Sequence, residues 1–324
     1  QIVAGKLNAT IALVIASNDH CQGIERARNM GLPIEVITRQ QCGTLDAFSE
    51  RIAAALRAHG VDLALMAGFL SLWQIPDDFH GRVMNIHPAL LPSHGGKGMH
   101  GHHVHQAVLA AGDTESGCTV HFADNAYDTG PIILQRRVPV LPGDSADALA
   151  KRVFEEEKLA YPQAVRWWSA GVLERDQGQV YLRKTLACIT REKPGGRELL
   201  VFERVHAPEA GIQIPHGALH HGEDPDAGVL RQAIEETGLS SLRIVRKLGV
   251  HPWRNPEWGC LYERHVYHLE PTGATPETWE HYEPDGGTLP TDSETLFRFW
   301  WKPLTSDLTL AAGQHLYLSD LLTP

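Results

Sequence analysis

Short apolar runs alternate with amphipathic stretches over the first half of the chain. Strands are predicted where the apolar runs lie, at residues 11–16, 34–37 and 63–67. Between them, two stretches carry apolar side chains at helical spacing, and the second places Phe48, Ile52 and Leu56 on one face. Because strand and helix alternate, the pattern predicts an α/β fold built on a doubly wound, mostly parallel sheet.

The pattern changes at a polar, Gly-containing junction over residues 174–180. Residues 1–173 then form one predicted domain, and residues 181–324 form a second domain of the α+β class. The second domain opens with two strands joined by a Pro-Gly-Gly turn. Farther on, the Pro- and Gly-rich stretch 271–292 predicts a long loop, and residues 310–322 predict a closing helix.

Composition and charge limit the function. With 324 residues, 43% of them hydrophobic, the chain is long enough for two ordinary globular cores. A net charge of −10 argues against a general nucleic-acid surface. The five cysteines include no Cys-x-x-Cys pair, which favours reduced thiols, and no apolar run is long enough to span a membrane. We therefore expect a cytoplasmic protein that acts on small molecules.

Polar side chains stand where two predicted strands end. Asn85 and His87 lie two residues apart, so on a strand both side chains point to the same face. Pro88 ends that strand at its carboxyl end, where open α/β sheets place their ligands. Asp128 follows another strand, and an amide, an imidazole and a carboxylate brought together can orient a nucleophile and stabilise an oxyanion.

Three segments carry a resemblance to a known family. They are Asn-Ile-His-Pro-Ala-Leu-Leu-Pro at 85–92, Gly-Cys-Thr-Val-His-Phe at 117–122 and Asp-Thr-Gly-Pro-Ile-Ile-Leu-Gln at 128–135. In this order they resemble the folate-dependent formyltransferases, and the resemblance extends over residues 2–173. It implies formyl transfer from 10-formyltetrahydrofolate to the amine of glycinamide ribonucleotide, in de novo purine synthesis.

The resemblance also implies roles for individual residues. Asn85, His87 and Asp128 match the catalytic positions, with Asn85 and a protonated His87 as oxyanion donors and Asp128 favouring the imidazolium. Glu157 would hold the substrate amine, although it also fits an exposed acidic run. His121 would lie beside the active site, and an ordinary hydrogen-bonded strand histidine is an equal alternative.

Two backbone segments would hold the folate, because loop backbone can match the donors and acceptors of a pterin edge. These segments comprise Leu70, Ser71, Leu72 and Trp73 after the third strand, and Ala123, Asp124, Asn125, Ala126 and Tyr127 before Asp128. Many members of the family carry Arg where Ser71 stands, and that Arg reaches the folate carboxylate. Its absence weakens any inference about the folate tail.

The family opens with a strand, a Gly-rich loop and a helix, and the loop holds the ribotide phosphate on backbone N–H groups. Here no such loop precedes the strand at 11–16, and the sequence begins with Gln1. We expect that the N-terminal strand is missing because the sequence is a fragment. The alternative is a protein that has lost its phosphate-binding loop.

The second domain carries a different motif. The spacing of Gly217, Glu223, Arg231, Glu235, Glu236 and Gly238 resembles the Nudix box, a loop–helix–loop that binds divalent metal. The resemblance implies hydrolysis of a nucleoside diphosphate compound, with Mg²⁺ or Mn²⁺ at Glu235, Glu236 and Gly217. Apolar spacing predicts that Ala227, Leu230 and Ile234 form the buried helix face, with both glutamates pointing the other way.

Gln232 departs from this motif, because the box normally has a metal-binding glutamate there. Glutamine carries no charge and is no base, which predicts weaker metal binding and slower hydrolysis than in the usual box. A Nudix fold kept as a nucleotide-binding or packing module is the alternative.

Other functions stay open for the first domain. A related transferase could formylate an amino-sugar nucleotide or methionyl-tRNA, although the charge of −10 argues against the tRNA. A formyltetrahydrofolate deformylase would use the same three residues with water as the nucleophile. The His-rich stretch 94–105 suits a flexible loop over the substrate better than a zinc site, since no Cys or carboxylate ligand accompanies it.

Overall fold

The computed structural model describes residues 2, 4–5, 7–283 and 295–322, without the side chain at 283. Its chain divides into two compact units. The first comprises residues 1–165 with 176–180 and 256–260, and the second comprises 166–175 with 181–255 and 261–324. In the described residues, no helix has the length and apolar character needed to cross a bilayer.

The first unit opens with two parallel strands and three helices. They are β1 (Val14–Ala16), α1 (Gln22–Asn29), β2 (Ile34–Val36), α2 (Arg39–Cys42) and α3 (Leu45–Ala58). The Thr44 side chain accepts a hydrogen bond from Ala47 N at 3.2 Å, which starts α3. Phe48, Ile52 and Leu56 are buried in one core cluster, so the predicted apolar face of this helix is confirmed.

The rest of the unit forms a four-stranded sheet with two helices. They are β3 (Ala64–Met66), β4 (Val83–His87), α4 (His102–Ala111), β5 (Glu115–Phe122), β6 (Ile132–Pro139) and α5 (Ala146–Ser169). The predicted α/β fold is confirmed, with mixed pairing: β3 and β4 are parallel, whereas β4–β5 and β5–β6 are antiparallel. The chain returns from β5 to β6 without a crossover helix, which dictates an antiparallel pair.

Helix α5 is tied to the sheet through Tyr161. Its hydroxyl lies 2.9 Å from the carbonyl oxygens of Met66 and Met84, on β3 and β4. Leu149 and Val153 are fully buried one helical turn apart, and Glu157 follows one turn later on the same side. The helix thereby presents a carboxylate beside the carboxyl end of β4.

The second unit is rich in strands around one long helix. Its elements are β7 (Leu173–Asp176), β8 (Gln179–Lys193), β9 (Gly196–Arg204), β10 (His216–Ala218), α6 (Pro225–Thr237), β11 (Leu242–Arg254), β12 (Leu261–Pro271), β13 (Thr278–Glu283) and β14 (Thr295–Pro303). The strand order is β11-β12-β8-β9-β14-β13, and β10 pairs with β8. One side of the sheet packs against α6 through Val229 and Ala233.

Two predictions for the second unit are wrong in part. Strand β13 lies inside the predicted loop 271–292, of which residues 284–292 are outside the described residues. The predicted closing helix is replaced by two 3₁₀ turns, Ala311–Gly313 and Leu318–Leu321. Ala312 has a φ of 53°, and this left-handed conformation interrupts a continuous helix.

Candidate active site

The carboxyl end of β4 gathers the polar residues that the sequence singled out. Asn85 stands opposite His121 of β5 in the strand register, and its Nδ2 lies 3.1 Å from His121 Nε2. The same Nδ2 lies 3.4 Å from Asp128 Oδ1, and His87 Nδ1 lies 3.5 Å from Asp128 Oδ2. The structure thus brings all four side chains into one cluster, centred on the Asp128 carboxylate.

His87 is buried, and both of its ring nitrogens face a partner. Its Nε2 donates a hydrogen bond to the carbonyl oxygen of His94 at 2.8 Å, while Nδ1 faces Asp128. Burial lowers the pKa of His87, and the charge of Asp128 and the His94 carbonyl only partly oppose this effect. Burial therefore disfavours the protonated His87 that the family resemblance implies, and the sequence alone does not reveal how completely this ring is desolvated.

Asp128 is held in a constrained position. Its φ is 57°, in the left-handed region that residues other than glycine adopt with strain. Burial alone would raise its pKa, but the adjacent His121 ring, the Gly96 N–H that donates to the carboxylate, and His87 together keep the pKa below its usual range. The carboxylate therefore stays ionised at neutral pH and supplies the negative charge of the cluster.

His121 acts on Asn85 as well as on Asp128. Its Nδ1 donates to the carbonyl oxygen of Phe122 at 2.8 Å, which leaves Nε2 as the acceptor for the Asn85 amide when the ring is neutral. Asn85 thus has two internal acceptors in the resting site. Donation to a bound substrate requires the amide to give up one of them, and the 3.4 Å contact with Asp128 is the longer.

The cluster opens into a cleft of about 840 Å³. Glu157 lines the same cleft, and so do Leu70, Tyr127 and Phe154. Burial raises the pKa of Glu157 to about 7, and in the described part of the chain no hydrogen-bond donor compensates it. A half-buried carboxylate of this kind gains most from a cationic or amine group on a ligand.

The nine predicted folate-binding residues separate into different environments. Leu70 and Tyr127 line the cleft. The Trp73 side chain lies in the core, where its indole N–H donates to Ser49 O, and it therefore presents only backbone to a ligand. Asn125 Oδ1 accepts from Ile75 N at 2.7 Å, which ties the second predicted segment to the backbone two residues beyond the first. Asp124 accepts from the Thr129 hydroxyl and shapes the loop before Asp128.

Two residues that the sequence analysis did not identify, Thr119 and Gln135, hold the backbone segment after His87 in place. Thr119 Oγ1 accepts from Leu91 N and donates to Ala89 O, and the Gln135 amide donates to Leu91 O and Thr119 Oγ1. These bonds hold the segment that follows His87. Thr119 and Gln135 stand in the segments that carry the family resemblance, which is the one signal that could have found them.

The motif of the second unit extends from β10 to the end of α6. Arg231 donates to both carboxylate oxygens of Glu223, at 2.8 and 2.7 Å, and to Glu235 at 3.0 Å. Glu236 is buried and accepts from the backbone N–H of His216 at 2.7 Å. Gly238 ends the helix with a φ of 70°, the conformation that favours glycine.

The predicted faces of α6 are wrong in part. Leu230 packs against the core as predicted. Ala227 and Ile234 are exposed, however, whereas Gln232 and Glu236 are buried with Val229 and Ala233. A Cβ on Gly217 would meet Gln232 Oε1 at 1.8 Å, so glycine leaves the room that this buried side chain occupies against β10. The close backbone supplies partners for the buried polar groups, including Ala218 O for the Gln232 amide at 3.2 Å.

These residues do not fit a divalent metal held by three carboxylates. Gln232 is neutral and bound to backbone, Glu235 is paired with Arg231, and Glu236 is bound to backbone. Among the described residues, no three His, Cys, Asp or Glu side chains are placed to hold a metal ion together. We derive no metal-dependent step from this arrangement.

Two family models match the chain: formyl transferase over residues 1–165, and the NUDIX domain over residues 180–310. A chloroplastic phosphoribosylglycinamide formyltransferase of Arabidopsis thaliana is 41% identical over 164 residues, which are 50% of this chain and 56% of that protein. The phosphoribosylglycinamide formyltransferase of Escherichia coli K12 is 31% identical, over 55% of this chain and 82% of that protein.

Among solved structures, the glycinamide ribonucleotide transformylase 1 of Symbiobacterium toebii matches with a TM-score of 0.52 and 36% identity. The match covers 55% of this chain and 83% of that one. The chain spans about half the length of the Arabidopsis relative. All of these matches to relatives and structures rest on about half of this chain.

Proposed function

The chain belongs to the formyl transferase family through residues 1–165, and on this premise we propose that it transfers a formyl group from 10-formyltetrahydrofolate to the amine of glycinamide ribonucleotide. The observation that carries the proposal is the cluster of Asn85, His87 and Asp128 at the carboxyl end of β4, open to a cleft that also holds Glu157. This step would serve de novo purine synthesis.

Glu157 has the properties of an anchor for the substrate amine. Its carboxyl group lines the cleft, and burial raises its pKa to about 7. At neutral pH an ammonium group beside it would favour the ionised carboxylate, and transfer of one proton from the ammonium to this carboxylate would leave the neutral amine that attacks. The energy lost by burying this side chain would then be recovered on substrate binding.

Asn85 and His87 would assist the attack of the amine on the formyl carbon. As the amine attacks, the formyl oxygen becomes an oxyanion, and the Asn85 amide supplies an N–H donor. His87 rests neutral with a proton on Nε2, so Nδ1 is the nitrogen that takes the amine proton. The ionised Asp128 beside Nδ1 stabilises the resulting imidazolium, which then protonates the nitrogen of the leaving folate.

The experiment that tests the proposal measures consumption of the formyl donor by the full-length protein. With glycinamide ribonucleotide present, we expect tetrahydrofolate to be released at a rate that saturates with the ribotide. Donor cleavage that proceeds equally well without the ribotide would indicate a deformylase. A reaction that occurs only with an amino-sugar nucleotide would indicate a different amine acceptor.

Glu157→Gln gives a prediction about pH. In the wild type, kcat/KM should rise as pH increases through about 7, where the Glu157 carboxyl group ionises, and the variant should lose this limb along with most of its activity. A kcat/KM profile between pH 5.5 and 8.5 measures the effect. An unchanged limb in the variant would exclude Glu157 as its source.

The same substitution should affect stability with a defined sign. Because the folded state raises the pKa of Glu157, its contribution to stability is present below the unfolded pKa and is lost as pH rises through about 7. Glu157→Gln should therefore melt at a higher temperature than the wild type at pH 8, and not at pH 4. Glu155→Gln, on the exposed side of the same helix, is the matched control and should show no such difference.

For the second unit, we propose a Nudix-like module that binds a nucleoside diphosphate compound without rapid metal-dependent hydrolysis. The observation behind this proposal is Gln232, which is buried at the motif and bound to Ala218 O. Gln232→Glu would place a third carboxylate near Glu235 and Glu236. We expect it to tighten Mn²⁺ binding at least about tenfold, since a charged oxygen ligand replaces a neutral one.

Titration of the full-length protein with Mn²⁺, followed by electron paramagnetic resonance, measures that affinity directly. Gln179→Glu, at the exposed start of β8 outside the motif, controls for the same general change of charge. Equal Mn²⁺ affinity in the wild type and in Gln232→Glu would contradict the assignment of Gln232 as the limiting residue. A wild-type Mn²⁺ affinity as high as that typical of Nudix hydrolases would also contradict this assignment.

A further inference from the structure

One short turn contacts both His87 and Asp128. The carbonyl oxygen of His94 accepts the Nε2 hydrogen of His87 at 2.8 Å. Two residues later, the Gly96 N–H donates to Asp128 Oδ2 at 2.9 Å. Gly95 packs so closely between them that a Cβ there would lie 3.4 Å from the Asp128 Cβ and 2.5 Å from a Leu91 methyl group. The backbone of this turn therefore sets where both side chains point.

The turn is itself held from outside the cluster. His94 has a φ of 54°, a left-handed conformation that a histidine adopts only when its surroundings stabilise it. Its Nε2 lies 2.6 Å from Asp113 Oδ2, and the His94 side chain is only 17% exposed. Asp113 directly follows the left-handed Gly112 that ends α4, so the carboxylate is carried by a rigid helix end.

We infer that Asp113 and His94 are positioning residues for the reaction, and this inference rests on the proposed formyl transfer. Asp113 holds the His94 side chain, which keeps the His94 carbonyl on His87 Nε2 and the Gly96 N–H on Asp128. Neither residue touches the substrate in this account. Asp113 lies outside all three segments that carry the family resemblance, so its role comes from the geometry alone.

The His94 carbonyl oxygen influences how His87 is protonated. An acceptor on Nε2 fixes the hydrogen there and leaves Nδ1 to exchange a proton beside Asp128. The same carbonyl also stabilises the protonated ring and opposes the effect of burial. Loss of Asp113 should release the turn, lower the pKa of His87 further and weaken the control of its tautomer.

The test compares Asp113→Ala with the wild type in the full-length protein. Labelled with ¹³C-histidine, each protein is titrated by NMR, and the His87 signal is identified by its loss in His87→Asn. We expect a lower pKa for His87, kcat lowered about tenfold or more and KM for the ribotide nearly unchanged, as for a misplaced catalytic group. Circular dichroism establishes that the variants are folded.

Two further variants make the result specific. His94→Gln keeps an N–H donor that can reach Asp113, and it should retain most of the kcat that His94→Ala loses. Asp77→Ala is the control, because Asp77 lies on an exposed 3₁₀ turn and its Oδ1 is 3.8 Å from His80 Nδ1, another Asp–His contact. Its loss should leave kcat and the His87 titration unchanged. A folded Asp113→Ala protein with wild-type kcat and an unchanged His87 titration would overturn the inference.

The NMR measurement does not depend on the proposed reaction. A His87 signal that shifts in Asp113→Ala, in a protein without formyl transfer, would support the positioning chain and reject the proposed function. Formyl transfer by a protein whose His87 signal responds to neither Asp113→Ala nor His94→Ala would support the proposed function and reject the positioning role.

Discussion

Replacement of His87 with asparagine is expected to lower kcat for formyl transfer by about 10³-fold, within the range for loss of a positioned acid–base group. The buried ring carries its proton on Nε2 and faces Asp128 with Nδ1, and asparagine cannot take up and return a proton at that position. KM for the ribotide should change much less, because Glu157 on α5 remains in place.

Steady-state kinetics with saturating formyl donor measure this effect. His80→Asn is the matched control, since it changes an exposed histidine outside the cleft and should leave kcat unchanged. If His87→Asn retained more than about a tenth of the wild-type kcat, proton transfer by this ring would not be part of the mechanism.

A substitution that adds a single methyl group, Gly130→Ala, is expected to destabilise the first unit by about 3 kcal/mol. A Cβ at residue 130 would lie 1.9 Å from the carbonyl oxygen of Phe122. The two strands are held together at this point by the bond from Phe122 N to Pro131 O, at 2.9 Å, so neither backbone can move away freely. Displacement of this loop would also move Asp128, and formyl transfer should fall with stability.

Scanning calorimetry of the full-length protein measures the effect as a decrease in melting temperature of about 6 °C or more. The transition of the first unit is the one that a bound folate analogue shifts upward. Gly23→Ala is the control in the same unit, because its Cβ would meet only Cys21 Sγ at 3.7 Å inside helix α1. That variant should be as stable as the wild type or more stable. A Gly130→Ala protein with the wild-type melting temperature would contradict the steric argument.

Local signals in the sequence were sufficient for much of the first unit. Thr44 begins α3 as a cap, and Phe48, Ile52 and Leu56 identify its buried side. The spacing of Asn85 and His87 on one strand predicted correctly that they share a face. These features depend on residues close together in the chain, where backbone geometry dictates direction.

In helix α6, the spacing of apolar residues along the sequence did not identify the buried face correctly. Its apolar spacing favoured Ala227 and Ile234 as buried residues, yet Gln232 and Glu236 are buried instead. The cause is tertiary: Gly217 brings the backbone of β10 against the helix, and that backbone supplies partners for the polar side chains. Helical periodicity alone cannot register a backbone that approaches from another part of the chain.

The candidate active site also depends on backbone groups, which residue types do not reveal. His94 contributes its carbonyl oxygen to His87, and Gly96 contributes its N–H to Asp128. Every residue other than proline has both groups, so the sequence does not reveal which ones face a catalytic side chain. The desolvation that lowers the pKa of His87 is likewise a property of the folded site.

The fate of the formyl carbon tests the central claim most directly. The full-length protein is incubated with 10-[¹³C]formyltetrahydrofolate and glycinamide ribonucleotide, and the products are followed by ¹³C NMR. We expect the label to appear as a formamide on the ribotide amine with the wild-type protein, and not with His87→Asn. Label recovered as formate, at a rate that the ribotide does not change, would contradict formyl transfer to this amine.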